Sequence, residues 1–208
     1  MVRAVNINLR MNIFWNGYYC LEIFFWYVFM TPSKTKQIMD AESINRSITR
    51  LAHEILEHNN GPDNIILIGI ITRGEPLAKR LRKLIENITN IKIPIGFLDI
   101  TFHRDDFRTR LVVPQIKGTD IHDSIDNKIV VLVDDVLFTG RTIRAAMDEL
   151  NAFGRPSNIQ LAVLVDRGHR ELPIRPDYVG KNIPTNEGEN VKVLLKEFDK
   201  KDLVTLNS

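Results

Sequence analysis

The sequence predicts a doubly wound α/β domain on a mostly parallel sheet, with a small hood contributed by the C-terminal region. Three observations carry this. Apolar, largely β-branched runs recur at residues 65–70, 130–133 and 159–165, nearly uninterrupted in the way of strands buried on both faces. Segments of helical periodicity alternate with them. Residues able to do chemistry gather just after the runs, where open parallel sheets bind ligands. At 208 residues, 44% hydrophobic and 26% charged, the chain supports one domain with a sizeable core.

Residues 1–29 stand apart from this pattern. Aromatic side chains crowd there from Phe14 to Phe29, together with both tryptophans and the single cysteine, Cys20. The apolar run over 18–30 is shorter than the ~20 residues that span a bilayer, and Glu22 interrupts it. Met30 precedes an ordinary soluble start, Thr31-Pro32-Ser33. The expectation is a mis-started extension at 1–29 and one domain over 30–208, without a membrane partner. One cysteine leaves no disulfide framework and no cysteine metal cluster, so a cytoplasmic protein is expected. The net charge of +2 is too small to argue nucleic-acid binding by itself.

Asp40 is an N-cap for a helix reaching about Asn59, with Ile44, Ile48, Leu51, Ile55 and Leu56 at helical spacing. The opposite face carries Arg46, Thr49, Arg50 and His53. Strand 65–70 then runs into Thr72, Arg73 and Gly74, before a helix over 75–88 with Pro76 in its first turn. An arginine in that place makes bidentate hydrogen bonds to pyrophosphate, and the glycine frees the backbone to approach it. A solvated surface turn is the plain alternative.

Residues 93–100 predict a third strand. The polar stretch 101–127 has no periodicity and is long enough to be a functional lid. Its Arg104, Asp105, Asp106, Arg108, Arg110 and Lys117 suit a flexible flap closing over an anionic substrate, although solvated loop charge would look the same. After strand 159–165, two short strands are expected near 178–183 and 191–197, and the hood over 166–190.

The chemistry concentrates in residues 130–142. Asp134 and Asp135 follow the apolar run, and Val136, Leu137 and Phe138 lead into Thr139, Gly140, Arg141 and Thr142. A helical pattern with Ile143, Ala146, Met147 and Leu150 on one face comes next, stopped by Gly154 and Pro156. A loop entering a helix N-terminus offers unpaired N–H groups and the positive end of the helix dipole, so it binds phosphate. Gly140 permits close approach, and the hydroxyls of Thr139 and Thr142 donate to phosphate oxygens. The two carboxylates are suited instead to vicinal sugar hydroxyls. Together they fit a ribose 5-phosphate.

A polar strand end with a helix cap is the plain alternative. Yet Asp-Asp-x-x-x-Thr-Gly-x-Thr fixes five residues, on the order of one in a million per starting position. No lysine follows Gly140, which excludes a P-loop.

This segment resembles the phosphoribosyl pyrophosphate (PRPP) motif of type I phosphoribosyltransferases. The resemblance implies that Asp134 and Asp135 hold the ribose hydroxyls, that residues 136–142 cradle the 5-phosphate, and that Thr72, Arg73 and Gly74 hold pyrophosphate. It also implies Mg2+ bound through PRPP and water, with no direct protein ligand. Purine-specific members carry an aspartate immediately before the Thr-Gly pair; Phe138 stands there, which weighs against hypoxanthine or guanine.

Over residues 34–200 the chain is similar to the pyrimidine operon attenuation proteins, which are also uracil phosphoribosyltransferases. The similarity is carried by residues 47–55, 98–101, Arg104-Asp105-Asp106, 130–147, and 159–175 with Val179-Gly180-Lys181-Asn182. It implies the reaction uracil + PRPP giving UMP and diphosphate, with Arg104 on the closing flap and uracil against Val179, Lys181 and Asn182 in the hood. It further implies a homodimer or higher homo-oligomer that binds pyrimidine operon leader mRNA under control of UMP or UTP. Thr49, Arg50, His53, Arg167, His169, Arg170 and Arg175 would face the RNA. Ile71 departs from the family, which commonly has lysine before the Thr-Arg-Gly, and the lost positive charge implies lower catalytic efficiency. A transferase for another base, without an RNA role, is the alternative that the motif alone leaves open.

Overall fold

The computed structural model describes residues 35–100 and 118–208. The extension at 1–29 and Arg104 lie outside the described residues. The apolar runs become strands β2 (Ile65–Ile70), β4 (Ile129–Leu137) and β5 (Asn158–Asp166), joined by β3 (Ile95–Leu98) and β6 (Tyr178–Asn182). All neighbours are parallel, in the order β3-β2-β4-β5-β6. Helices α1 (Ala41–His58), α2 (Gly74–Thr89) and α3 (Arg141–Leu150) alternate with them.

The pleat divides the core in two. Leu67, Val131, Val133 and Ala162 pack on one side with α1 and α2; Ile66, Ile68, Leu132 and Val163 pack on the other with α3. Strand residues buried on both faces are why the sequence reads as runs rather than alternation. α1 begins as its cap predicts, with the Ser43 N–H donating to Asp40 Oδ1 at 2.8 Å.

After β2 the chain adds β3 on one side and then β4 on the other. The connections leaving β2 and β4 therefore part in opposite directions, opening a crevice at the carboxyl ends of these two strands.

The hood differs from the expectation of 166–190. It is a three-stranded antiparallel sheet in the order β1-β8-β7, built from β1 (Thr35–Met39), β7 (Asn190–Leu194) and β8 (Leu203–Asn207). β1 and β8 are five-residue strands with too little apolar alternation to show in sequence. The flap boundary also shifts. Of the predicted 101–127, residues 118–127 are tied to the sheet: Phe97 and Asp120 exchange backbone hydrogen bonds of 2.8 and 2.9 Å, and Ile125 is fully buried. Residues 101–117 lie outside the described residues.

Arg80 on α2 fastens the segment around α4 (Lys196–Asp199), donating to Glu197 at 2.6 and 2.9 Å and to Asp202 at 2.7 and 3.1 Å. Burial works against both carboxyls, yet the Arg80 hydrogen bonds hold Glu197 and Asp202 below their ordinary values. Lowered carboxyl pKa values stabilise the fold above the unfolded values and lose that contribution as pH falls through the folded ones. Arg80→Met is expected to destabilise the protein by about 2–3 kcal/mol, a buried pair discounted for partial exposure. Urea unfolding at pH 7 and pH 4 checks this, with the smaller difference at pH 4.

Candidate active site

The crevice is a cleft of about 840 Å³. Its walls come from the end of β2 (Ile70 to Arg73), from Asp134 through Ile143, from Arg167 and Glu171 beyond β5, and from Asn190 and Val191 on the hood.

The acidic pair sits at the end of β4. Asp134 is only 7% exposed, and its Oδ1 accepts the Asp135 N–H at 2.9 Å. Asp135 Oδ1 accepts the Val136 N–H at 2.9 Å. Each carboxylate is thus held by the backbone N–H one residue on. Burial pushes Asp135 above its ordinary value, and the Arg73 charge and the hydrogen bonds offset this only in part. A sugar hydroxyl or a cation would relieve the same desolvated charge.

Arg73 reaches the cleft because α2 starts unusually close to β4. A Cβ on Gly74 would lie 2.2 Å from the Val133 carbonyl oxygen, so only glycine fits. Gly69 makes a matching close approach, with a Cβ placed 2.7 Å from the Gly74 carbonyl oxygen. The Ile71–Thr72 peptide bond is cis. Arg73 Nη2 lies 3.3 Å from each carboxylate oxygen of Asp199 on α4, and its Nε is buried without an acceptor. A carboxylate therefore stands where an anionic ligand would engage this guanidinium.

The phosphate-type loop is shaped from both sides. Gly140 has φ +95° and caps α3, a conformation that disfavours other residues. The loop carbonyls are drawn outward: Glu171 N–H and Leu172 N–H both donate to the Thr139 carbonyl oxygen at 3.1 Å, and Arg167 N–H to that of Leu137 at 3.1 Å. Arg170 continues the set through Nη1, 2.8 Å from the Phe138 carbonyl oxygen and 3.2 Å from that of Gly168, while Nη2 pairs with Asp166 at 2.6 Å. With these carbonyls turned away, the start of α3 presents the positive end of its dipole to an anion, and the Arg141 N–H donates to Thr139 Oγ1 at 3.4 Å.

Asp134, Asp135, Thr72, Arg73 and residues 136–142 thus come together as the sequence predicts. Gly74 lies directly behind them. Val179, Lys181 and Asn182 do not line the cleft. They belong to β6 in the parallel sheet rather than to the hood, and Lys181 Nζ donates to the Ile38 carbonyl oxygen at 3.2 Å. Two of the residues expected on an RNA face are turned inward. Arg167 is 8% exposed and lines the cleft, and Arg170 spends its donors on loop carbonyls and Asp166. Glu171, Asn190 and Val191 are cleft residues that sequence reasoning missed. Asp166-Arg167-Gly168 at the end of a parallel strand was the available signal.

Among the described residues no helix is long and apolar enough to cross a membrane. Residues 34–197 match the phosphoribosyl transferase domain family. The chain is 57% identical over 175 residues to "Bifunctional protein PyrR" of Oceanobacillus iheyensis, covering 83% of this chain and 97% of that protein. It is 55% identical over 170 residues to the protein of that name from Clostridioides difficile, covering 82% and 96%. A hypoxanthine phosphoribosyltransferase structure from Trypanosoma cruzi superposes with a TM-score of 0.62 at 21% identity, covering 83% of this chain and 96% of that one, and shares the fold. With the cleft at the switch point of its sheet and these relatives over most of its length, the chain belongs to the phosphoribosyltransferase family and, within it, to the bifunctional PyrR proteins.

Proposed function

We propose that the cleft transfers the phosphoribosyl group of PRPP to uracil, giving UMP and diphosphate, and that the same protein binds pyrimidine operon leader mRNA in the cytoplasm under control of UMP or UTP. The observation that carries the enzymatic half is the meeting of the Asp134–Asp135 pair, the loop at the start of α3 and Arg73 in one crevice. Asp134 and Asp135 bind the ribose hydroxyls, and the N–H groups and hydroxyls of residues 138–142 take the 5-phosphate. Arg73 exchanges Asp199 for pyrophosphate. The bond from ribose C1 to pyrophosphate loosens before the base nitrogen arrives, so positioning and charge stabilisation matter more than a protein nucleophile.

The donor set suits Mg2+ carried by the substrate. Asp134 and Asp135 offer hard oxygen ligands, and among the described residues no group of three or more His, Cys, Asp or Glu forms a cage. When bound with PRPP, the ion would neutralise charge building on the leaving diphosphate.

Assay of the protein with PRPP, Mg2+ and uracil, orotate, adenine or hypoxanthine tests the reading. UMP from uracil is the expected product, and turnover confined to a purine would overturn it. Ile71→Lys adds a charge beside Arg73. It is expected to lower the KM for PRPP about fivefold, on the order of 1 kcal/mol as for a partly exposed ion pair.

For the RNA half, the resemblance points to Thr49, Arg50 and His53 on α1, with His169 and Arg175. His53, His169 and Arg175 are exposed. Arg50 is half-exposed; besides Glu54, it donates to the carbonyl oxygens of Val179 and Gly180 at 3.0 and 2.6 Å. His53→Ala combined with Arg175→Ala avoids disturbing that link. The pair is expected to weaken binding of the leader RNA and, through the Arg175 charge, to flatten its salt dependence by about one ion. Unchanged affinity and slope would remove these residues from the interface.

A further inference from the structure

Arg167 has the features of a ligand contact that neither the motif nor the resemblance places in the cleft. Its guanidinium is stacked on Phe138, 4.0 Å from the ring centroid, with His169 edge-on to the same ring at 6.2 Å. Nη1 donates to Asn190 Oδ1 at 3.2 Å and Nη2 to the Glu189 carbonyl oxygen at 2.6 Å. Of the five N–H groups of an arginine, these contacts match two. The Nε–H is buried without an acceptor. Arg170, not Arg167, takes the carboxylate of Asp166.

Stacking and two fixed acceptors make this a rigid donor array at a wall of the cleft. Burial opposes its charge and lowers its pKa, so a polar ligand that fills the unmatched positions is favoured. The cleft floor holds the ribose and phosphate sites, so what reaches this wall is the third part of a nucleotide.

We propose that Arg167, clamped by Phe138, Asn190 and Glu189, donates to an exocyclic carbonyl oxygen of the base and selects oxo over amino bases. The inference rests on the reading of the cleft as a uracil phosphoribosyltransferase site. Its logic is that a guanidinium carries donors alone. A ring carbonyl meets it with an acceptor. The amino group of cytosine or adenine in that place sets donor against donor and is refused. Phe138 has no polar atom with which to relax this choice.

The test is titration calorimetry of UMP, 2-thio-UMP and 4-thio-UMP with the full chain, since sulfur accepts hydrogen bonds far more weakly than oxygen. The wild-type protein is expected to bind UMP about tenfold more tightly than one of the two thio analogues, as for a hydrogen bond from a charged donor. In Arg167→Met that preference vanishes because UMP weakens, while ribose 5-phosphate binds as before. A preference absent from the wild-type protein, or surviving in Arg167→Met, overturns the inference. Should the methionine variant fail to fold, Arg167→Lys keeps the charge without the planar fork; it shows the preference reduced several-fold if the inference holds and intact if it does not. UMP failing to bind the wild-type protein sinks the uracil reading beneath it, a result distinct from UMP bound without preference.

Discussion

Asp135→Asn is expected to make the protein more stable at neutral pH and far less active. The carboxylate of Asp135 is desolvated at the base of the cleft, and burial raises its pKa above the ordinary value despite Arg73 nearby. A raised carboxyl pKa means that the folded state holds its proton more tightly than the unfolded state. The ionised group therefore weakens the fold above the folded pKa, and the penalty fades as pH falls toward the unfolded value. An amide keeps the acceptor for the Val136 N–H without the charge. The unfolding midpoint should rise at pH 8, and the difference from wild type should shrink on acidification. Activity moves the opposite way. On the proposed role of Asp135, losing a charged partner for ribose hydroxyls removes about 3 kcal/mol, roughly a hundredfold in kcat/KM. Thermal scans over pH 5–8 beside steady-state kinetics check both, and a variant less stable at pH 8 would show that Asp135 is not a strained charge.

Gly74→Ala should be the most damaging small substitution in the domain. The added carbon would sit 2.2 Å from the Val133 carbonyl oxygen and 3.4 Å from Asp134 Cα, against backbone on both counts. No rotamer relieves this. α2 must withdraw from β4, carrying Arg73 away from the acidic pair and opening the interior beneath Leu77 and Leu81. A loss of about 3–5 kcal/mol is expected, at the upper end for overpacking since the obstacle is backbone. Any protein that still folds should bind PRPP at least tenfold more weakly. Chemical denaturation and PRPP binding measure the two effects. Wild-type behaviour of Gly74→Ala would mean that α2 approaches β4 less closely than described.

Much of the fold was legible because its informative residues are governed by local rules. The runs at β2, β4 and β5 announce doubly buried strands, and Asp40 announces a helix start. Asp134, Asp135 and Gly140 could be placed together in advance because strand ends and helix starts converge at a switch point. Other features depended on partners distant in sequence. β1 gains its meaning from β8 across the whole described domain. Arg170 and Arg175 look alike as letters, yet one secures the carbonyls of the phosphate-type loop and the other is exposed. Charge alone gives no hint of which side of a loop will be buried. The resemblance put uracil against Val179, Lys181 and Asn182 in the hood, whereas the register that pairs β6 with β5 makes this short strand part of the parallel sheet.

The order of strands in the hood also bears on how the protein is made. β8, the middle strand, lies C-terminal to every other described element, whereas the parallel sheet has all five strands once residue 182 has emerged. During synthesis the catalytic crevice can take shape on the sheet while β1 and β7 still lack the strand that joins them. Closure of the hood is then a late event, and Asn190 and Val191 reach their final support only after residues 203–207 have emerged.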